Sequence, residues 1–170
     1  MNKLIQGVLL CGVTIPAFGA EPITSVVISE EIPFSNKEAV DPRVVAECNL
    51  PQRQAEFLGQ ALTAVNVEFK TVKNLDSTSG DSVLELEIQQ TGSGHIPFVG
   101  RYKSVTVVGK LYQHGKQVAA LTAKRNSTGG GFGAFKGACA IFYGSAQAIG
   151  QDIARWMVAP TDDAKLGDAR

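Results

Sequence analysis

The stretch that decides the fold is residues 129–156, GGGFGAFKGACAIFYGSAQAIGQDIARW. After its glycine run and Cys139, apolar residues recur four or three positions apart: Phe142, Ala146, Ile149, Ile153 and Trp156. This spacing places them on one side of an α-helix, while polar residues such as Gln147 and Gln151 fall elsewhere. The stretch therefore predicts a C-terminal helix that lies across a sheet and closes the core.

Several segments upstream alternate between apolar and polar residues. In 83–90, Leu84, Leu86 and Ile88 alternate with Glu85, Glu87 and Gln89. Residues 102–112 and 117–124 predict a hairpin that turns at 113–116, and two further strands are expected at 23–29 and 65–71. A sheet with one polar face is typical of antiparallel strands covered on one side only.

A first helix is predicted directly after Cys48. Asn49 can cap it, Pro51 suits its first turn, and Gln52 stands where a capping box needs it. Leu58 and Leu62 then fall on its buried side. Together these elements predict an α+β fold, a two-layer sandwich with an antiparallel sheet of four to five strands and two helices packed on one face.

The chain of 170 residues divides into three parts. Residues 1–20 are interpreted as a signal peptide, 21–158 as a single α+β domain, and 159–170 as a flexible tail with nothing to bury. Within the domain, residues 91–100 contain three glycines and Pro97 and predict a loop.

The N-terminal segment carries the marks of export. Lys3 precedes an apolar stretch at 4–15, and Pro16 precedes a small-residue end that favours cleavage near Gly19 or Ala20. The apolar stretch is too short to span a bilayer as an anchor. The sequence therefore predicts a periplasmic or secreted protein.

The charge balance of the chain does not indicate a charged binding partner. Sixteen basic residues stand against sixteen acidic ones, so there is no electrostatic case for binding nucleic acid or an anionic membrane.

Two cysteines, Cys48 and Cys139, remain once Cys11 is removed with the signal peptide. An even pair in an oxidising compartment predicts a disulfide. Two free buried thiols or half a metal site are the alternatives. Only His95 and His114 could complete such a site, and neither stands at ligand spacing from a cysteine.

No catalytic, cofactor-binding or metal-binding residues are predicted. Ser145 lies in the helix without a nucleophile signature, and the two histidines fall in expected loops. A glycine loop before a helix can hold a phosphate, but Lys136 precedes Gly137 here, which departs from the P-loop pattern.

A stripe of small residues runs along the C-terminal helix: Gly137, Ala140, Gly144 and Ala148. Close packing on the sheet is the preferred interpretation, and contact with another helix in a membrane is the alternative.

Four short segments carry a family resemblance: Glu-Cys-Asn-Leu-Pro at 47–51, the glycines at 129–133, Lys-Gly-Ala-Cys at 136–139 and Asp-Ile-Ala-Arg-Trp at 152–156. In these the chain resembles small uncharacterised bacterial envelope proteins and, more distantly, domains on envelope lipoproteins. It lacks the lipobox of the latter. The resemblance implies no activity, substrate or cofactor.

Three functions follow in order of preference. The first is a non-catalytic exported module of the cell envelope that binds an unknown protein or envelope component, with Ile96 and Phe98 as the candidate partner surface. The second is a membrane-interacting protein that uses the small-residue stripe. The third is an enzyme of unidentified class.

Overall fold

The computed structural model describes residues 23–40, 42–96, 100–128 and 137–169. The elements in chain order are β1 Ser25–Ser29, α1 Pro42–Glu47, α2 Leu50–Ala64, β2 Glu68–Val72, β3 Val83–Ile96, β4 Gly100–Gln113, β5 Lys116–Thr128, α3 Ala138–Val158 and β6 Ala164–Gly167. The signal peptide expected at 1–20 and the connector that begins at Gly129 lie outside the described residues.

The sheet is mixed, with strand order β2-β1-β3-β4-β5-β6. Strand β1 runs parallel to β2 and β3, the β3–β4 and β4–β5 pairs are antiparallel, and β6 runs parallel to β5. The α+β class is confirmed, but the antiparallel sheet of four to five strands is corrected. Helices α2 and α3 each connect a strand to a parallel neighbour, because parallel strands need a long crossover connection between them.

Helices α2 and α3 pack against each other, with α3 on β4 and β5 and α2 on β2. The apolar residues of β1, β3, β4 and β5 turn toward them, whereas β2 is largely exposed. The following sheet residues are buried: Leu84, Leu86, Ile88, Val105, Val107 and Leu111. On α3 the predicted stripe of Phe142, Ala146, Ile149, Ile153 and Trp156 is buried as well. Periodicity therefore identified both sides of the core.

The β4–β5 hairpin turns where it was predicted. His114 and Gly115 have φ values of 51° and 74°. Two consecutive residues with positive φ are what the two-residue turns matching the strand twist require. Glycine at the second of these positions has no Cβ to strain.

The start of α2 differs from the predicted capping box. Asn49 adopts a left-handed conformation with φ of 42°, and its side chain makes no capping hydrogen bond. The Gln52 side chain instead donates to the Glu31 carboxylate. Asn49 therefore provides the left-handed bend between α1 and α2.

The loop expected at 91–100 is wrong for most of its length. Strand β3 continues to Ile96 and β4 begins at Gly100, so 91–96 pair in register with β4. A bulge between Ile88 and Gln90 shifts the alternation, which hides the strand from a periodicity search. Gly92 marks a close approach, since a Cβ there would collide with Ser104 Oγ.

The tail after Pro160 is also corrected. Residues Ala164–Gly167 form β6 on the edge of β5. The Asp162 and Asp168 carboxylates accept the backbone N–H groups of Ala120 and Asn126, at 2.9 Å each. The tail is held by satisfying backbone donors of β5 and by Ala164 and Leu166, which pack against the core.

The small-residue stripe does not pack on the sheet as preferred. Gly137, Ala140 and Gly144 are exposed. Close approach occurs instead at Gly150, where a Cβ would lie 3.0 Å from the backbone carbonyl carbon and oxygen of Phe57 in α2. A different face of α3 therefore contains the glycine that packing requires.

Candidate functional site

Cys48 and Cys139 form the predicted disulfide. The sulfur atoms are 2.06 Å apart and the Cα atoms 5.1 Å apart, within the range that a disulfide spans. Cys48 is buried just before α2, and Cys139 lies in the first turn of α3. The bond therefore ties the beginnings of the two packed helices together.

Four contacts between α3 and the segment from Cys48 to Phe57 support this link. The Tyr143 hydroxyl donates to the Cys48 backbone carbonyl at 2.5 Å. Its ring meets Phe57 edge-on with centroids 6.3 Å apart, and the Arg53 guanidinium lies 5.8 Å from the ring centroid. The buried Gln54 amide donates to the Ala146 carbonyl at 3.0 Å. Together with the disulfide, these contacts form a structural clamp that holds the beginnings of α2 and α3 together.

The candidate partner surface is only partly described. Ile96 is the last residue of β3 and pairs with Gly100, while Phe98 lies outside the described residues. The backbone of this part of β3 is nevertheless informative, because it forms one margin of the sheet.

We call this margin the β3 edge, meaning the side of residues 91–96 that faces away from β4. Before the bulge, Ile88 uses its N–H and C=O on this side, bonding Pro33 and Ser35. On β4, Val107 is the partner of Ile88. Thr91 lies opposite Val105, which is two residues away from Val107 along the same strand. Backbone groups alternate in direction, so those of Thr91, Ser93 and His95 also point outward.

Nothing in the described ranges pairs with the β3 edge beyond Ile88. Thr91 as a whole residue is 8% exposed, and its Oγ1 has no hydrogen-bond partner among the described residues. Unpaired N–H and C=O groups on a strand are a template for a further strand.

A second feature is an open cleft of about 490 Å³ between the C-terminal half of α3 and β6. We call it the charged cleft; it is lined by Arg125, Asp152, Arg155, Trp156, Lys165, Leu166 and Gly167. The buried Asp152 carboxylate accepts Arg125 Nε at 2.6 Å and Nη2 at 2.9 Å, and it also accepts Arg155 Nη2. Asp152 therefore orients two guanidinium groups.

The sequence contained a signal for this cleft that periodicity arguments passed over. Arg125 continues the buried phase of β5 after Ala119, Leu121 and Ala123. Asp152 likewise lies next to Ile153 on the buried side of α3. When charged residues occupy positions that the periodicity assigns to the buried side of two neighbouring elements, they indicate a partly buried ion pair.

The electrostatics follow from these contacts. The hydrogen bond to Asp152 raises the pKa of Arg125. On the opposite face of the sheet, burial, followed by the charge of Glu85, raises the pKa of Tyr112, whose hydroxyl donates to that carboxylate. In the loop before β3, hydrogen bonds from Thr78 lower the pKa of Asp76.

The residues weighed for catalysis are dispersed. Ser145 is 1% exposed, its Oγ lacks a hydrogen-bond partner in the described structure, and it faces the core. His114 lies in the hairpin turn and His95 in β3. Within 23–40, 42–96, 100–128 and 137–169, no three His, Cys, Asp or Glu residues are grouped as a metal site would need.

These features define a class: an α+β protein in which two helices cover one face of a mixed sheet and a disulfide joins the helices. Among solved structures, the chain is similar to a DUF330 protein from Xanthomonas campestris, with a TM-score of 0.55 and 12% identity, over 82% of this chain and 88% of that one. That likeness shows a shared fold.

Two further solved structures align with lower scores. A minor lipoprotein from Acinetobacter baumannii has a TM-score of 0.45 and 13% identity, over 81% of this chain and 93% of that one. A PelC dodecamer from Paraburkholderia phytofirmans has a TM-score of 0.47 and 12% identity, over 82% and 89%. No family model matches the sequence, and no curated protein matches it. The likeness to the DUF330 protein thus agrees with the α+β fold that the sequence predicts.

In the part of the chain that the structure describes, no helix is long and apolar enough to cross a membrane.

Proposed function

We propose that this protein is a non-catalytic, exported binding module of the bacterial cell envelope, and that it holds an extended segment of a protein partner along the β3 edge. The observation that carries the proposal is the outward direction of the backbone groups of Thr91, Ser93 and His95, which no described strand pairs. An added strand would gain main-chain hydrogen bonds there, the usual basis of such recognition.

The location of the edge supports this function. On the other side of β4, the outward backbone groups of β5 are satisfied by β6 and by the Asp162 and Asp168 carboxylates. Such caps are how proteins protect sheet edges from unwanted pairing. At residues 91–96 the β3 edge has no such cover among the described residues.

The clamp of Cys48 and Cys139 supports export, since disulfides persist mainly in oxidising compartments.

When the full chain is expressed in a Gram-negative bacterium, we expect the periplasmic protein to begin at Ala20 or Glu21. Intact-mass spectrometry of the periplasmic fraction measures this. The variant Leu9→Arg should remain uncleaved, because a charge interrupts the apolar stretch that export requires. A mature wild-type protein that still carries Met1 would refute export by cleavage.

The β3 edge can be blocked without touching the β3–β4 ladder. In Ser93→Pro, proline removes an N–H that points outward, a position at which strands tolerate proline. We expect retention of the envelope partner to fall about tenfold, since the recognition hydrogen bonds around this N–H are lost. The measurement is quantitative capture from envelope extract, followed by affinity measurement with the recovered partner. The melting temperature should stay close to that of the wild type.

Gly92→Pro is the matched control, because the backbone of Gly92 points toward β4. It should lower the melting temperature by breaking a ladder hydrogen bond. Equal partner binding by Ser93→Pro and wild type would reject the β3 edge as the docking site. Phe98→Ser tests the remainder of the candidate partner surface in the same assay.

The exposure of Gly137, Ala140 and Gly144 favours a second candidate, contact with a membrane through the small-residue stripe of α3. Liposome flotation of the mature protein separates the two functions. Flotation with neutral and anionic vesicles alike would support the membrane function. Protein that stays at the bottom of the gradient would support the binding module.

A further inference from the structure

The sheet has a second open margin at β2, on the far side of β1 from β3. We call it the β2 edge, meaning the side of Glu68–Val72 that faces away from β1. The Glu68 N–H donates to the carbonyl of Thr24, just before β1, at 2.9 Å, so the backbone of Glu68 faces β1. Backbone groups alternate in direction along a strand, so those of Phe69 and Thr71 point outward. No strand in the described ranges pairs with them.

The β2 edge carries an apolar side chain at its centre. Phe69 is 39% exposed, although its ring lies against α2, where a Cβ at Gly59 would collide with it. The ring therefore lies on the helix face of the sheet and leaves part of its surface to solvent. Sheet edges normally avoid unpaired backbone groups beside an exposed apolar side chain, because this combination favours association with another strand.

Two charged residues flank Phe69. Glu68 and Lys70 point to the face of the sheet opposite to the helices, since side chains alternate along a strand. Both are exposed, and within the part of the chain that the structure describes neither side chain has an ion-pair or hydrogen-bond partner. An acid and a base two positions apart on one face of an open strand make that strand complementary to an inverted copy of itself.

We propose that the β2 edge pairs, antiparallel, with the same edge of a second copy of this chain, and that the two Phe69 residues lie opposite each other. In this register each Glu68 stands opposite the Lys70 of the other copy, and opposite charges in facing positions attract. The nearest registers that keep the outward groups facing place Lys70 opposite Lys70 or Glu68 opposite Glu68, where like charges repel. The charges therefore select one register, and a two-fold axis through the Phe69 pair generates it.

The backbone of β2 fits this register. The two Phe69 residues would exchange hydrogen bonds, and each Thr71 N–H would meet the Val67 carbonyl of the other copy. That carbonyl points outward, because it belongs to the same planar peptide unit as the Glu68 N–H, which points to β1. The Val67 N–H is already used by the Leu62 carbonyl, which keeps the ladder short. The dimer should therefore be weak, with a Kd on the order of 10 μM. This inference does not depend on the partner at the β3 edge.

The test is sedimentation equilibrium of the mature, disulfide-bonded protein over about 1–300 μM, a range that brackets the expected Kd. We expect a monomer–dimer equilibrium. Glu68→Lys should raise the Kd about tenfold, because attractive pairs become repulsive, and Lys70→Glu should do the same. The double variant Glu68→Lys/Lys70→Glu should dimerise as the wild type does, since exchanging the charges restores the pairs only in this register.

Lys116→Glu is the matched control for charge. Lys116 is exposed at the start of β5, so this variant changes the net charge as Lys70→Glu does but lies outside β2. It should dimerise like the wild type. Equal weakening by the two variants would show that overall charge governs association, and it would overturn the proposal.

Thr71→Pro tests the backbone independently of charge. Proline removes an outward N–H and leaves the bonds to β1 intact, a substitution that edge strands tolerate. We expect weaker dimerisation at an unchanged melting temperature, measured at a concentration where the protein is monomeric.

Three results would overturn the pairing. One is a wild-type protein that stays monomeric throughout the range. Another is a double charge variant that stays as weak as the single ones. The third is undiminished dimerisation of Thr71→Pro, and loss of that dimer in Ser93→Pro would then place the contact at the β3 edge.

Discussion

Replacing Cys139 by serine is expected to lower the free energy of unfolding by about 4 kcal/mol, the largest single effect we anticipate. The disulfide joins residues 91 positions apart, so its loss releases a long loop of the unfolded chain. For a domain of this size, the melting temperature should fall on the order of 10 °C. Thermal unfolding followed by far-UV circular dichroism measures the change.

Two comparisons distinguish this effect from local damage. Cys48→Ser should give the same loss, and the double variant should add little to it, because either substitution alone removes the whole bond. Wild-type protein treated with a thiol reductant should unfold like the variants. If the oxidised and reduced wild-type proteins melt at the same temperature, the disulfide does not stabilise the fold.

The second large effect is expected at Gly150. In Gly150→Leu the side chain would meet the backbone of Phe57 and Leu58, where even a Cβ lies 3.0–3.1 Å away. Backbone cannot move aside as a flexible side chain does, so α2 and α3 must separate. We expect a loss of about 3 kcal/mol, at the upper end of ordinary overpacking. Chemical denaturation of the purified variant measures it.

Gly144→Leu is the matched control on the same helix. Gly144 is exposed, and a Cβ there would meet only Ser127 Oγ at 3.6 Å, an ordinary contact. This variant should be neutral or more stable by up to about 1 kcal/mol, since leucine favours helix over glycine. Equal losses at both positions would mean that glycine as such, rather than helix contact, determines stability on α3.

Much of the fold could be predicted locally. The buried sides of α3 and β3 follow from the spacing of apolar residues, because burial imposes periods of 3.6 and 2 on whatever sequence fills those elements. The turn at His114 and Gly115 follows from residue types that accept positive φ. These features depend on residues that are close together in the sequence, so the sequence alone contains the information that predicts them.

The errors arose where the bulge or a distant partner decided the structure. A shift of one residue at Gln89 ended the visible alternation, so 91–96 read as a loop. The sequence of the tail predicts mobility because Ala164 and Leu166 offer little apolar surface. In the structure, hydrogen bonds between residues 42 positions apart attach the tail to β5. Sequence alone does not show which donors remain unsatisfied on a strand 40 residues away.

By itself, the sequence determined the α+β class, the two amphipathic helices, the hairpin turn and the pairing of Cys48 with Cys139. Each depends on composition or on short-range spacing. The tertiary structure decided the parallel partners of β1 and β5, the outward groups of the β3 edge and the contact of Arg125 with Asp152. These depend on which segments lie side by side, and that is settled by the free energy of the whole packed core rather than by any local preference.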